Sequence, residues 1–242
     1  MENPSYIALS RQMALGREMS IIANNVANMN TNAYKNEGMM FVEYLKDTKT
    51  GENLSFTQDL RLVRNLAEGQ LHTTDNPLDV AISGRGYFTV EVDGEDRYTR
   101  NGSFKLSPDG ELVTSEGYIV LSDGDAPISI PATATDITIT RDGTISSSAG
   151  TAGRLKTVDF EDEQLLVKEA GSVFSTADNQ EPIDQVAGEI IQGAIEGSNV
   201  QGVIEMTRLI DTTRSYTSMA KFIKQEHDRQ LKAIQSLASL KV

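Results

Sequence analysis

The sequence predicts an α+β protein: long N- and C-terminal helices pair as an α-helical coiled coil, with an inserted antiparallel β domain, a curled sheet or small barrel, between them. Three observations predict it. Apolar residues recur at alternating steps of three and four near both ends, the spacing of a helix seam. The middle of the chain alternates apolar and polar residues in short runs separated by two-residue turn signals such as Asp93-Gly94. Nineteen glycines against six prolines in 242 residues suit many turns between short strands better than a helical bundle. The expected domains are 1–35 and 198–242 as the terminal coiled coil, 36–70 and 177–197 as extended connections, and 71–176 as the β domain.

The first helix is expected from Pro4 to about Met29. Asn3 can cap it and Pro4 stands where a missing N–H costs nothing. Its seam reads Leu15, Met19, Ile22, Val26 and Met29. At the downstream end Asn24, Asn25 and Asn28 crowd into one turn, and asparagine amides compete for backbone hydrogen bonds. Residues 36–70 lose helical periodicity and read as extended chain or loop with one short apolar piece, Phe41 to Leu45, and at most one strand.

The β domain announces itself by alternation. Leu78, Val80 and Ile82 alternate with Asp79 and Ala81, then Gly84-Arg85-Gly86 turns the chain into Tyr87 to Val92. Asp93-Gly94 and Asn101-Gly102 read as hairpin turns, and Asp109-Gly110 and Asp142-Gly143 as further reversals. The stretch from Glu161 to Lys168 fits either a helix or a strand. Ser198 with Gln201 fits a capping box for a second helix running to about Leu240. The seam of that helix is Met206, Leu209, Thr213, Tyr216, Ala220, Ile223, His227, Gln230, Ile234 and Leu237. Several of these are polar or small, so the helix pair is weak by itself and is expected to order fully when stacked on the same pair in other subunits.

Composition closes several functional classes. A net charge of −13 without any lysine or arginine run argues against nucleic acid, whose affinity comes from cations displacing counterions. With no cysteine there are no disulfides and no cysteine nucleophile. No secretory leader is read at the start, and no run approaches the roughly 18 apolar residues of a membrane span, so direct membrane insertion is not expected. His72 and His227 are the two histidines, too few for a His-rich metal site. Ser218 and Lys221 match a bare Ser-x-x-Lys spacing without its companion motifs. Gly84-Arg85-Gly86 lacks the third glycine and following helix of a dinucleotide loop, and Asp123-Gly124-Asp125 and Glu161-Asp162-Glu163 lack EF-hand spacing. No cofactor, metal or catalytic residue is expected.

Specific wording adds to this reading. Ala23 to Asn28 (ANNVAN), with Thr31 and then Ala33-Tyr34-Lys35, resembles the amino-terminal signature of the bacterial flagellar rod and hook proteins. Ala33 stands where that family more often has glycine at a sharp turn. Asp75 to Ile82 (DNPLDVAI), Gly84-x-Gly86-Tyr87-Phe88, Tyr98 to Phe104 (YTRNGSF) and the run from Gly110 to Tyr118 follow in the family's order. Gly197-Ser198-Asn199-Val200, Glu205-Met206, Leu209-Ile210 and Arg214-x-Tyr216 resemble its terminal helix.

The resemblance implies a structural, non-enzymatic subunit of the flagellar basal-body rod. Phe41-x-Glu43-Tyr44-Leu45 and Ser55 to Asp59 are most similar to proximal-rod members. Such a subunit would assemble helically with itself and other rod proteins into a hollow, torque-transmitting shaft across the periplasm. It would be exported by the flagellar type III apparatus without a cleaved signal peptide, with ring proteins as surrounding partners. The expected subunit-packing residues are Leu15, Met19, Ile22, Asn24, Asn25, Val26, Asn28, Met29, Met206, Leu209, Tyr216, Ala220, Ile223, Ile234 and Leu237. A distal-rod subunit of the same family is the near alternative. A secreted carbohydrate-binding or hydrolytic β domain with coiled-coil ends is the alternative of another class.

Overall fold

The computed structural model describes residues 3–47, 53–131, 133–169, 172–176, 180–184 and 188–239. Helix α1 (Asn3–Ala27) stops where the asparagines gather. The Asn28 N–H is shared between the carbonyls of Asn24 and Asn25, both at 3.1 Å, a tightened last turn. Met29, expected as the last seam residue, therefore lies past the helix. Helix α2 (Gly202–Ser239) begins later than a capping box on Ser198 requires. Gln201 holds the cap position instead, its carbonyl taking the Glu205 N–H at 3.0 Å.

The chain divides into two compact units, one of Met1–Asn28, Asn36–Asn65 and Val200–Val242, the other of Met29–Lys35 and Leu66–Asn199. In the first, the helical unit, the expected connection 36–70 holds a long antiparallel hairpin, β1 (Glu37–Asp47) with β2 (Asn53–Arg64). A register shift between Met40 and Phe41 marks a bulge. A bulge breaks the two-residue alternation by which strands are read from sequence, which is why the hairpin was not legible there.

Within this unit α1 and α2 lie antiparallel: Asn25 meets Glu205, Met19 meets Thr213, and Gly16 meets the ring of Tyr216. They do not pair as a coiled coil, and that part of the expected fold is corrected. A coiled coil needs apolar knobs at both heptad positions of each helix. On α2 the expected seam is split. Leu209, Tyr216, Ile223 and Gln230 are partly covered, whereas Met206, Thr213, His227 and Ile234 are exposed, and Glu205, Thr212, Met219 and Glu226 turn inward in their place. The residues α2 buries most deeply are polar, Glu205 and Thr212. Helix α1 packs on both strands of the hairpin as well as on α2, so its apolar surface is divided between a sheet and a helix. The α+β class itself stands.

The β unit begins with β3 (Leu71–Thr73) and β4 (Val80–Ser83), followed by β5 (Tyr87–Val92), β6 (Glu95–Thr99), β7 (Phe104–Leu106), β8 (Leu112–Thr114) and β9 (Ile119–Val120). Then come β10 (Thr138–Ile139), β11 (Thr144–Ser147), β12 (Gly150–Arg154), β13 (Thr157–Val158), β14 (Val167–Lys168), β15 (Val173–Ser175), β16 (Glu189–Gln192) and β17 (Ala194–Glu196). The main sheet runs β14-β15-β6-β5-β9-β8-β7, with β13 also on β5. Among the described residues that path has two ends, so it forms a sheet and not a closed barrel. All its pairings are antiparallel.

Central strand β5 is buried on both faces. Phe88 and Val90 enter the main apolar core with Val80, Ile82, Leu112, Ile128, Ile145 and Leu155. Tyr87 joins a second cluster with Tyr98, Val158, Phe160, Leu166 and Phe174, where ring pairs meet edge to face at 4.8 to 5.9 Å. The Asp93-Gly94 turn has both residues at positive φ, 55° and 80°, the type I′ geometry that suits a two-residue hairpin. Asn101-Gly102 is not a hairpin. A Cβ on Gly102 would lie 1.9 Å from the Val80 carbonyl oxygen, and the Gly102 carbonyl accepts the Val80 N–H at 2.9 Å, so glycine serves a close backbone crossing there. The ambiguous stretch after Glu161 becomes a 3₁₀ turn, Glu163–Leu165, followed by β14.

Candidate functional site

Two buried polar knots organise the terminal segments, one in each unit. In the helical unit, Asn25 is 1% exposed and its side-chain amide behaves as a strand partner. Its Nδ2 donates to the Glu37 carbonyl at 2.7 Å and its Oδ1 accepts the Glu37 N–H at 3.0 Å. Asparagine alone presents a peptide-like donor and acceptor on so short a stem, which accounts for its place in the α1 terminus. The same Nδ2 lies 3.4 Å from Glu205 Oε2, and Asn36 Nδ2 donates to Glu205 Oε1 at 3.1 Å. Arg208 reaches that oxygen from one turn on, also at 3.1 Å. One carboxylate thus ties the start of α2 to the end of α1 and to the start of β1.

In the β unit the knot is ionic. The Glu196 carboxylate, with its side chain 1% exposed, accepts from Lys35 Nζ at 2.6 Å and from Arg100 Nε at 2.9 Å. The Gly69 N–H adds a third bond at 2.9 Å. Arg100 spends three of its four remaining N–H donors on the carbonyls of Gly84, Gly86 and Ile82, at 2.8 to 3.2 Å, and so braces the Gly84-Arg85-Gly86 turn. Lys35 also donates to Ala67 O at 2.9 Å. Burial pushes the Lys35 ammonium below its usual value against the pull of Glu196, and the charge of Arg100 adds to the depression. Burial also opposes the Glu196 carboxylate, but the charges of Arg100 and Lys35, with the Lys35 and Gly69 hydrogen bonds, outweigh it and hold that carboxyl below its usual range.

Local backbone completes the knot. Ala33 adopts φ 57°, the left-handed turn, and its N–H reaches the Glu196 carbonyl at 2.8 Å. Asn199 donates to the carbonyls of Tyr34 and Ala67, and the Lys168 ammonium sits 4.0 Å from the Tyr34 ring centroid.

The sequence-derived packing residues fall into three groups. Leu15, Ile22 and Asn25 are buried, and Met19, Val26, Asn28, Leu209, Tyr216, Ala220 and Ile223 are half-buried. Asn24, Met29, Met206 and Ile234 are exposed. Asn24 instead accepts the Asn28 amide on both its oxygens, at 2.9 and 2.8 Å. The Leu237 side chain lies outside the described residues. Sequence reasoning missed Lys35, Arg100, Glu196 and Glu205 as site residues. Lys35 and Glu196 are 161 positions apart, and no local pattern links them.

Among the described residues no group of three or more His, Asp or Glu side chains is placed to hold a metal, and no helix is long and apolar enough to cross a membrane. Asp123 pairs with Arg154, Asp125 with Lys156, and Glu163 with Arg85 and the Tyr87 hydroxyl.

The two terminal helices thus fold with the β1–β2 hairpin as one unit, and the β strands inserted between them in the chain fold as another. The chain belongs to the flagellar basal-body rod and hook protein family. Residues 6–35 match the flagella basal body rod protein model, 81–147 the FlgE/F/G hook protein D1 domain, and 191–236 the basal body rod FlgEFG C-terminal model. The chain is similar to the basal-body rod protein FlgF of Caulobacter vibrioides, 38% identical over 99% of this chain and 100% of that one. FlgF of Mesorhizobium japonicum is 33% identical over 99% of both chains. FlgG of Caulobacter vibrioides is 31% identical over 96% of this chain and 98% of that one.

Proposed function

We propose that the chain is a structural subunit of the flagellar basal-body rod, not an enzyme, and that it builds the proximal part of the rod with copies of itself and other rod proteins. The observation that carries this is a pair of exposed apolar stripes. On α1, Tyr6, Leu9 and Met13 recur at steps of three and four, and on α2 Val203, Met206 and Ile210 do the same, all at least 45% exposed. The antiparallel register sets these stripes at opposite ends of the helix pair. Patches at opposite ends suit a head-to-tail contact that propagates without closing into a ring, the geometry of a helical shaft.

On this reading, the exposed α2 members of the expected packing set, Met206 and Ile234, contact neighbouring subunits, while Leu15, Ile22 and Asn25 hold the module in shape. Export through the flagellar type III apparatus and enclosure by ring proteins follow from a place in the rod. The test is Ile210→Asp in cells. The purified variant should keep its helical circular dichroism, while motility and rods in isolated basal bodies are lost. Motility at the normal level would refute the reading. The distal-rod alternative rests on the similarity to FlgG. Deleting the gene and imaging the remnants decides it, because loss of a proximal subunit leaves no rod beyond the base and loss of a distal one leaves a stump.

A further inference from the structure

The two units carry very different charge. The β unit holds 24 acidic and 9 basic residues, a net of −15 (9 − 24), while the helical unit holds 11 acidic and 13 basic, a net of +2 (13 − 11). The nine cations of the β unit are all engaged. Lys35, Arg85, Arg97, Arg100, Arg141, Arg154 and Lys156 are in ion pairs, Lys105 is on the Ser115 carbonyl, and Lys168 is over Tyr34. Part of the surplus sits on exposed turns. Asp93, Asp109, Glu116 and Asp136 are exposed, and among the described residues none of them has an ion-pair partner. The apolar stripes that favour association lie on the unit without excess charge.

We infer that the β unit acts as an electrostatic brake on self-association of this chain: every copy carries the −15 of its β unit, barely offset by the +2 of its helical unit, so copies repel and assembly waits for that charge to be screened. The inference rests on the proposed stacking through the terminal helices and adds its regulation. Like-charged surfaces repel over the screening length, roughly 30 Å at 0.01 M salt and about 10 Å at 0.1 M. High net charge keeps a protein monomeric for this reason. In dilute salt the brake outweighs the stripes; near physiological salt and at high local concentration it does not.

The experiment is sedimentation velocity of the purified full chain between 20 mM and 500 mM NaCl. It compares the wild type, a fourfold variant (Asp93→Asn, Asp109→Asn, Glu116→Gln, Asp136→Asn) and Ile210→Asp. Asparagine tolerates the positive φ of positions 93 and 136, so the turns survive. The expected result is at least a tenfold tighter association of the wild type across the salt range. The fourfold variant should associate at low salt with a shallower dependence. If it loses its tyrosine near-ultraviolet signal, the pair Asp109→Asn with Glu116→Gln replaces it. Wild-type association independent of salt, or neutralised variants with an unchanged slope, overturns the brake. Ile210→Asp that associates as well as the wild type at 500 mM refutes the helical stripes instead.

Discussion

Replacing Glu196 by glutamine keeps the shape of the side chain and removes its charge, which strands two cations in the interior of the β unit. Lys35 and Arg100 have side chains only 4% and 5% exposed, so water cannot take over the role of the carboxylate. Breaking one partner of a buried pair costs about 3–5 kcal/mol, chiefly because a charge is left uncompensated. Here two are left, but Lys35 can shed its proton, and Arg100 keeps three carbonyl acceptors, so the middle of that range is expected. With a urea dependence of about 2 kcal/mol per molar, the unfolding midpoint should fall by roughly 2 M. The chain has no tryptophan, and Tyr87 and Tyr98 lie in the second aromatic cluster, so near-ultraviolet circular dichroism follows this unit. In a Lys35→Met background the same substitution should cost at least about 1 kcal/mol less, since one stranded charge is gone. A Glu196→Gln midpoint within 0.5 M of wild type, taking that as roughly 1 kcal/mol, would refute the assignment of the triad as the lock on this unit.

Other expectations concern single groups. Asn25→Asp turns a donor into an acceptor against the Glu37 carbonyl and the Glu205 carboxylate, and should destabilise the helical unit by about 2–3 kcal/mol in chemical denaturation; an unchanged midpoint would contradict the strand-partner role. Because the Glu196 carboxyl is held below its unfolded value of 4.5, its stabilisation is present above that pH and is lost as pH falls through the folded value; Glu196→Gln should flatten this acid limb. Lys35 has the opposite slope: its folded value lies below 10.5, so the unfolded chain binds more protons in between and stability rises with pH through that window, a rise that Lys35→Met should remove. The buried Thr89 hydroxyl has no partner among the described residues, and Thr89→Val should raise stability by about 1 kcal/mol. At Ala33, in the left-handed region, Ala33→Gly should stay within about 1 kcal/mol of wild type, as relieved strain offsets lost chain entropy, whereas Ala33→Val should cost about 2 kcal/mol; thermal unfolding separates them.

Much of the β unit was readable because its signals are local. Asp93-Gly94 specifies a type I′ turn through the φ values only those residue types adopt readily, and alternation around Phe88 and Val90 marks a strand. Asn101-Gly102 carries the same dipeptide signal for another reason, room for the Val80 carbonyl, and a neighbour twenty-odd positions away in sequence is invisible to a turn rule. The α2 seam failed similarly. Its step of threes and fours was correct, but Leu209 and Tyr216 fit two faces that differ by one residue, and only the position of α1 and Asn25 selects the face carrying Glu205 over the one carrying Met206.

By itself, then, the sequence determined the helices at the two ends, the antiparallel strands between them and the family, since each is written in spacings of a few residues or in contiguous wording. Only the tertiary structure decided that the helices share their surface with a hairpin, and that Lys35, Arg100 and Glu196 form one buried knot. The reason is range: backbone propensity and periodicity act over one or two turns, whereas burial of a charge depends on which distant segment the fold brings to cover it.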